Sequence, residues 1–178
     1  MKNMTVKLSE IERGETFEIG NIEFIKFSEE NGETIAIAKD IVFHSLFGEN
    51  NRFDESDILK ELKEKFLPGI AQEIGEENIL EFETDLTTLD GVKTFGVMRS
   101  KISLPTLDFY RKYVDIFDRY KLDDWYWLAT PWSAKPHYES SCILCVSPSG
   151  RIYDFYDYVN GVRPFLRFVS SISVSRVN

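Results

Sequence analysis

The sequence has few cysteines and no long apolar run. Its two cysteines, Cys142 and Cys145, are three positions apart and cannot staple a chain of 178 residues, which indicates a reducing compartment. No segment approaches the roughly 20 apolar residues that cross a bilayer. Residues 1–10 lack the basic start and apolar core of a secretory signal. We therefore expect a cytoplasmic protein without a membrane partner, in the host cytoplasm if a phage encodes it.

Positive charge is also scarce. The chain carries 21 lysines and arginines against 30 aspartates and glutamates, a formal net charge of −9. Affinity for a phosphate backbone comes from cations that displace counterions, so direct nucleic-acid binding is not expected. An acidic surface can instead meet a protein partner with a basic surface, although acidity that serves only solubility is an alternative that stays open. The sequence indicates no oligomeric state.

Catalytic signatures are missing as well. The two histidines, His44 and His137, have no neighbouring nucleophile motif, and no phosphate-binding glycine loop occurs. Cys142 and Cys145 have the C-x-x-C spacing of zinc and redox sites. On a strand, however, an offset of three places the thiols on opposite faces, so core thiols are favoured over a metal or redox site. We expect no catalytic residue, no metal and no cofactor, and hence a protein that is not an enzyme.

What the chain does have is apolar and aromatic side chains. With 43% hydrophobic and 14% aromatic residues, it can fill the core of one domain over residues 1–178. Alternating apolar positions predict three strands within residues 16–38, and the Asn31-Gly32 step predicts a hairpin turn between the last two. This antiparallel meander opens the N-terminal part, residues 1–120.

Two main helices are predicted in the same part. The polar run at residues 54–57, followed by apolar residues at helical spacing, predicts a first helix that Pro68-Gly69 ends, with a short helical turn at 70–74. Ser103 and Pro105 precede an apolar stripe that predicts the second, up to Phe117. Short strands are expected near residues 79–82 and through the last third of the chain. This order of elements indicates an α+β fold of antiparallel strands.

Three blocks in the last part, residues 121–178, resemble a known family. They are Trp125–Ser133, Val146–Ile152 and Gly161–Phe165. In this order they resemble the motif pattern of the DUF6273 family, which occurs in Firmicutes and their phages. The resemblance implies a C-type-lectin-like fold and a phage or prophage origin.

Eight residues of these blocks are expected to build the scaffold. Trp125 and Trp127 alternate with Tyr126, so that one strand face can bury two indoles. Gly150 suits a turn with positive φ. The Arg163 guanidinium is expected to reach carbonyls or a carboxylate of the tryptophan segment, a structural role that is favoured over ligand binding. The full set is Trp125, Trp127, Pro131, Trp132, Gly150, Gly161, Arg163 and Pro164.

Two segments between the blocks form the candidate partner-binding surface. In the proteins that the family resembles, the loops between the motif blocks display the binding surface. Aromatic rings mixed with aspartates offer rigid contact area with polar handles, although partial burial of the rings in the core is an equal alternative. The candidate residues are Lys135, His137, Tyr138, Glu139, Tyr153, Asp154, Tyr156, Asp157 and Tyr158.

The expected function is therefore non-enzymatic protein binding. Size, acidity and family context suggest a phage-borne inhibitor that occupies the basic channel of a host defence nuclease such as a CRISPR effector. The alternative is a receptor- or glycan-binding module of a phage particle or cell surface, which a lectin-like fold permits by analogy.

Overall fold

The computed structural model describes residues 4–136, 141–155 and 157–177. Over these residues the chain is an α+β fold of mostly antiparallel sheets, which confirms the predicted class. None of the described helices has both the length and the apolar character needed to cross a bilayer. The strands are β1 Met4–Lys7, β2 Thr16–Ile19, β3 Ile22–Glu30, β4 Glu33–Ala38, β5 Phe43–Ser45, β6 Phe82–Asp85, β7 Val97–Ser100, β8 Ile102–Ser103, β9 Tyr126–Pro131, β10 Ile143–Val146, β11 Ile152–Phe155, β12 Asn160–Val162, β13 Phe165–Val169 and β14 Ser173–Arg176. The α-helices are α1 Asp57–Glu61, α2 Leu67–Ile74, α3 Leu107–Lys112 and α4 Val114–Arg119.

Within the described residues the strands form three sheets. The largest has the order β1-β14-β2-β3-β4-β13-β8, the second has the order β11-β10-β9-β12-β5, and β6 pairs with β7 alone. The predicted meander is β2, β3 and β4, with antiparallel pairing throughout. Asn31 and Gly32 have φ values of 53° and 76°, as a two-residue hairpin turn requires. The strand expected near residues 79–82 begins only at Phe82, and Ile79 adds a single bridge to Phe168.

The first helical segment does not end at Pro68-Gly69, so that prediction is wrong. The chain passes from α1 through a wide turn at Leu62–Phe66 directly into α2. In the wide turn the Leu67 N–H donates to the Leu62 carbonyl, five residues back. Pro68 thereby falls in the first turn of α2, where a missing N–H leaves no helical bond unmade. The segment ends at Gly75, which has a φ of 85°.

The second predicted helix is a pair of short helices, so the prediction of two main helices is not confirmed. Thr106 caps α3 by accepting a hydrogen bond from the Phe109 N–H at 3.2 Å. Ser103, the predicted cap, belongs to β8 and pairs with Phe165. At Tyr113 the backbone angles, φ −120° and ψ 29°, leave the helical range, and α4 begins after it.

Both faces of β9 are buried, as are all six of its residues. Trp127 and Ala129 belong to one core cluster, and Trp125 packs against the same cluster while partly exposed. Tyr126 and Leu128 belong to a second cluster, which also contains apolar residues of α3 and α4. The two indoles therefore lie on one face of the strand and Tyr126 on the other.

Arg163 is the largest polar side chain in this interior and is fully buried. Its Nε donates to the Ala38 carbonyl of β4 at 3.1 Å, and its guanidinium carbon lies 4.9 Å from the centroid of the Tyr126 ring. Neither Nη1 nor Nη2 has a hydrogen-bond partner within the described part of the chain, and burial lowers the pKa of Arg163. The carbonyl that Arg163 reaches thus belongs to β4, whereas its ring contact is with the tryptophan segment.

We predict that Arg163→Ala lowers the free energy of unfolding by about 3 kcal/mol, because it empties a fully buried site between aromatic rings. Arg163→Met keeps most of the packed volume and removes two donors that lack partners, but it also removes the donor to the Ala38 carbonyl, so it should cost about 1 kcal/mol. Urea unfolding followed by tryptophan fluorescence measures both variants. An alanine variant as stable as the parent would show that this side chain does not support the core.

Candidate functional site

One end of the five-stranded sheet brings the two predicted binding segments together. Ile143, at the start of β10, lies opposite Pro131 at the end of β9 and opposite Phe155 at the end of β11. The β9–β10 connection and the chain that follows β11 therefore leave the sheet side by side.

The chain after β11 contributes to a cluster of aromatic side chains. The Trp125 ring centroid lies 5.1 Å from that of Tyr153 and 5.3 Å from that of Phe155. The Tyr153 and Phe155 rings are parallel within 4°, and the Tyr158 ring centroid lies 4.5 Å from that of Phe155. These contacts hold each ring against at least one other, so the cluster presents a fixed shape.

Two exposed aliphatic side chains lie at strand ends near Trp125. Asn160 of β12 pairs with Ser45 of β5, and the Gly161 N–H donates to the Trp125 carbonyl at 2.8 Å, which places the neighbours Val159 and Leu46 at this end of the sheet. We call the whole surface the aromatic patch and define it as Leu46, Trp125, Tyr153, Phe155, Tyr158 and Val159.

The aromatic patch is open to solvent. The exposed fractions are 47% for Leu46, 41% for Tyr153, 57% for Tyr158 and 62% for Val159. A contiguous group of exposed apolar side chains is uncommon on a monomer and marks interaction surfaces. Of the three rings for which partial burial in the core was the alternative, Tyr153 is exposed, Phe155 is partly buried against the core cluster of Trp127, and Tyr156 lies outside the described residues.

Two carboxylates adjoin residues of the aromatic patch: Asp124 precedes Trp125, and Asp157 precedes Tyr158. Asp154 lies between Tyr153 and Phe155 on β11, so its side chain leaves the opposite face of the strand. The Asp124 carboxylate accepts a hydrogen bond from the Trp125 N–H at 2.7 Å and lies 2.7 Å from His44 Nε2. The contact with His44 lowers the pKa of Asp124. The surface therefore combines exposed rings with negative charge at its rim.

Buried hydrogen bonds fix the two ends of the β9–β10 connection. Asn51, which is 2% exposed, donates to the Ser133 carbonyl at 2.7 Å and to the Cys142 carbonyl at 3.1 Å. The Trp132 N–H also donates to the Cys142 carbonyl, at 3.0 Å. One amide therefore links the residues that follow β9 to the residue that precedes β10.

Asp90 holds the first residues of the same connection. Its carboxylate accepts hydrogen bonds from the Thr88 hydroxyl and, at 2.9 Å, from the Ser133 hydroxyl. Lys135 Nζ lies 3.1 Å from Asp90 Oδ2, the oxygen that also accepts from Ser133. The hydrogen bond from Thr88, with those from Ser133 and Lys135, lowers the pKa of Asp90 to about 2.

The predicted partner-binding residues divide into three groups. Lys135 lies at the base of the β9–β10 connection. Tyr153 and Tyr158 belong to the aromatic patch, Asp157 precedes Tyr158 in the sequence, and Asp154 lies on the opposite face of β11. The remaining four, His137, Tyr138, Glu139 and Tyr156, lie outside the described residues.

The predicted scaffold residues occupy the interior and its turns. Gly150 has a φ of 79°. A Cβ at Gly161 would lie 2.2 Å from Ile41 Cδ1, so only glycine lets β12 lie this close to the side chain of Ile41. Pro131 and Pro164 each accept a main-chain hydrogen bond at their carbonyls, at 2.8 and 3.0 Å. Their arrangement is that of a packed framework below the exposed segments.

The two cysteine thiols are buried. Cys145 belongs to the core cluster of Trp127, and burial raises its pKa to about 12, which keeps it a thiol at neutral pH. Cys142 precedes β10 and is 8% exposed. Within residues 4–136, 141–155 and 157–177, no three His, Cys, Asp or Glu side chains stand close enough to hold a metal ion.

Sequence reasoning missed Asn51, Leu46 and Val159. Nothing in the local pattern distinguishes Asn51, because its two acceptors lie far along the chain. Leu46 and Val159 become neighbours only through the pairing of β5 with β12. The one signal present was that Val159 adjoins an aromatic segment already singled out.

No family model, curated protein or solved structure matches the chain. The resemblance to the DUF6273 family and the functions that it implies accordingly stay predictions.

We predict that Asn51→Ala lowers the free energy of unfolding by about 2 kcal/mol, because the Ser133 carbonyl loses the side-chain donor and the Cys142 carbonyl keeps only the Trp132 N–H. The Trp132 amide should exchange with solvent about tenfold faster, since the strand ends that it bridges are no longer held. Hydrogen exchange measured by NMR reports this amide directly. Asn50→Ala, at an exposed neighbouring position, is the matched control, and an equal effect of both variants would contradict the anchoring role.

The Asp90 carboxyl should titrate at about pH 2. Its pKa in the folded protein is lower than the value near 3.9 expected in the unfolded chain, so the stability that it contributes is complete above about pH 4 and is lost as the pH falls through 2. Carbon-detected NMR of the carboxyl measures the midpoint. Ser133→Ala, which removes one donor, should raise the midpoint. A midpoint near 4 in the unaltered protein would show that the hydrogen bonds do not hold the charge.

Proposed function

We propose that this chain is a non-enzymatic protein-binding module and that the aromatic patch is its contact surface. The exposure of a fixed group of aromatic and aliphatic side chains carries the proposal. Tyrosine and tryptophan supply large contact area with few rotatable bonds, and they dominate the binding energy of many protein interfaces. The scaffold below the patch keeps the rings in place before a partner arrives, which lowers the entropy cost of binding.

The proposed partner is a protein with a basic surface. The formal net charge of −9 and the carboxylates of Asp124 and Asp157, next to patch residues, support this choice. Opposite charge at the rim of an interface raises the association rate and excludes partners of like charge. Direct binding to nucleic acid forms no part of the proposal.

In its specific version, the partner is a host defence nuclease such as a CRISPR effector, whose basic nucleic-acid channel an acidic protein can occupy. The resemblance to the DUF6273 family supports a phage or prophage origin, a C-type-lectin-like fold and action in the host cytoplasm. The chain blocks its partner by occupancy, and no bond is made or broken.

Recognition of a receptor or glycan on a phage particle or cell surface is the alternative. The exposed Tyr153 and Tyr158 rings near Asp157 favour it, because aromatic faces stack on the apolar faces of sugar rings while a carboxylate accepts hydrogen bonds from hydroxyls.

The test uses purified CRISPR effector nucleases and measures inhibition of DNA cleavage by the full chain. We predict inhibition of at least one effector, weakening as salt rises from low to physiological concentration, because the rim charges become screened. The double variant Tyr153→Ala/Tyr158→Ala should fold normally and inhibit about thirtyfold less well, as expected for aromatic hot-spot residues.

Val97→Ala and Val114→Ala serve as matched controls, since both positions are exposed apolar residues outside the aromatic patch. They should inhibit as well as the parent. If the double tyrosine variant inhibits as well as the parent, the aromatic patch is not part of the interface. If the chain inhibits no effector and binds to a glycan array, the receptor- or glycan-binding alternative replaces the proposed nuclease inhibition.

A further inference from the structure

The sequence contains two Asn-Gly steps, Asn31-Gly32 and Asn160-Gly161. The side-chain carbonyl of an asparagine is open to attack by the backbone nitrogen of the next residue. Glycine hinders this attack least, because it has no Cβ and leaves the backbone free to turn. The two steps share this local chemistry, so the fold decides which of them reacts.

The fold leaves the first step open. Asn31 and Gly32 are both exposed and form the turn between β3 and β4. A Cβ built at Gly32 would have no heavy atom within 4 Å, so there is free space around this residue. The Gly32 N–H donates to no acceptor among the described residues, whereas its carbonyl accepts from the Ser170 N–H at 2.8 Å. The attacking nitrogen is thus free of a hydrogen bond within the described part of the chain.

The fold closes the second step. Asn160 is 5% exposed and pairs with Ser45 of β5. The Gly161 N–H donates to the Trp125 carbonyl at 2.8 Å, so the attacking nitrogen is already engaged. A Cβ at Gly161 would also lie 2.9 Å from the Trp125 oxygen, which shows how tightly the backbone is enclosed. Reaction at this step requires β12 to separate from its neighbours.

We propose that Asn31 is a modification site, at which the side-chain amide is lost spontaneously and aspartate and isoaspartate form. The Gly32 nitrogen bonds to Asn31 Cγ, the Cγ–Nδ2 bond breaks, and ammonia leaves with the proton that the nitrogen gave up. Water then adds to either carbonyl carbon of the resulting succinimide ring and breaks the bond from that carbon to the Gly32 nitrogen, which regains a proton. One water is consumed and one ammonia released, and the step is independent of the proposed function.

The two products affect the turn differently. Aspartate adds a negative charge beside the exposed Glu29, Glu30 and Glu33 but keeps the backbone, and it tolerates the φ of 53° at this position. Isoaspartate routes the backbone through Cβ and adds one carbon to it, which a two-residue hairpin turn does not accommodate. The Gly32 carbonyl then moves away from the Ser170 N–H. Isoaspartate should therefore loosen the end of the β3–β4 hairpin.

The experiment incubates the full chain at mildly alkaline pH, folded in buffer and unfolded in concentrated urea, and follows both asparagines by tandem mass spectrometry of proteolytic peptides. In the folded chain Asn31 should convert about a hundredfold faster than Asn160, because only the second step needs the sheet to open locally. In urea the two rates should agree within about threefold, since no fold distinguishes them. Equal rates in the folded chain, or an Asn31 that reacts only in urea, overturns the proposal.

Asn31→Gly is the matched control, because it removes the amide and keeps a residue that adopts positive φ. After incubation it should show no conversion at this position. Hydrogen exchange of the Ser170 amide, measured by NMR, reports the consequence for the turn. Exchange should be about tenfold faster in the separated isoaspartate form and unchanged in Asn31→Gly and in Asn31→Asp. Exchange as fast in Asn31→Asp as in the isoaspartate form would overturn the effect assigned to the lengthened backbone.

Discussion

The burial of β9 and β10 on both faces is the constraint on which the rest of the structure depends. Strands of this kind need apolar cover on two sides, and they also need every buried polar group to find a partner. One side is covered by the cluster around Trp127 and the other by the cluster around Leu128, α3 and α4. Because the middle of the sheet is buried, the segments beyond the ends of its strands are the parts that can vary in sequence and bind a partner.

Features that depend on neighbouring residues could be predicted from the sequence, whereas features that depend on contacts between distant parts of the chain could not. The meander and its Asn31-Gly32 turn were predictable, because alternation and turn chemistry act over a few residues. The helix end predicted at Pro68 was wrong, because proline stops a helix only where a backbone N–H is required. The wide turn before Pro68 removes that requirement. The break at Tyr113 has no comparable local signal.

The candidate site divides in the same way. Tyr153 and Tyr158 could be singled out from an aromatic segment, but their neighbours Leu46 and Val159 come together through a strand pair between distant parts of the chain. Arg163 was expected to contact the tryptophan segment, and its hydrogen bond goes instead to β4, which the sequence does not place beside it. Long-range pairing, which a single sequence does not record, decides these cases.

The wide turn at Leu62–Phe66 has a consequence for the geometry of the helix that contains it. In a regular α-helix the eight positions from Leu62 to Ile70 would rotate the second side chain about 80° away from the first. One residue absorbed in a wider turn brings this difference to about 20°, and both side chains are in fact buried in the same cluster. The wide turn thus absorbs one extra residue without a change of phase, and a chain shortened by one position here would close it into a regular α-helix in which the two halves of the apolar stripe stay aligned.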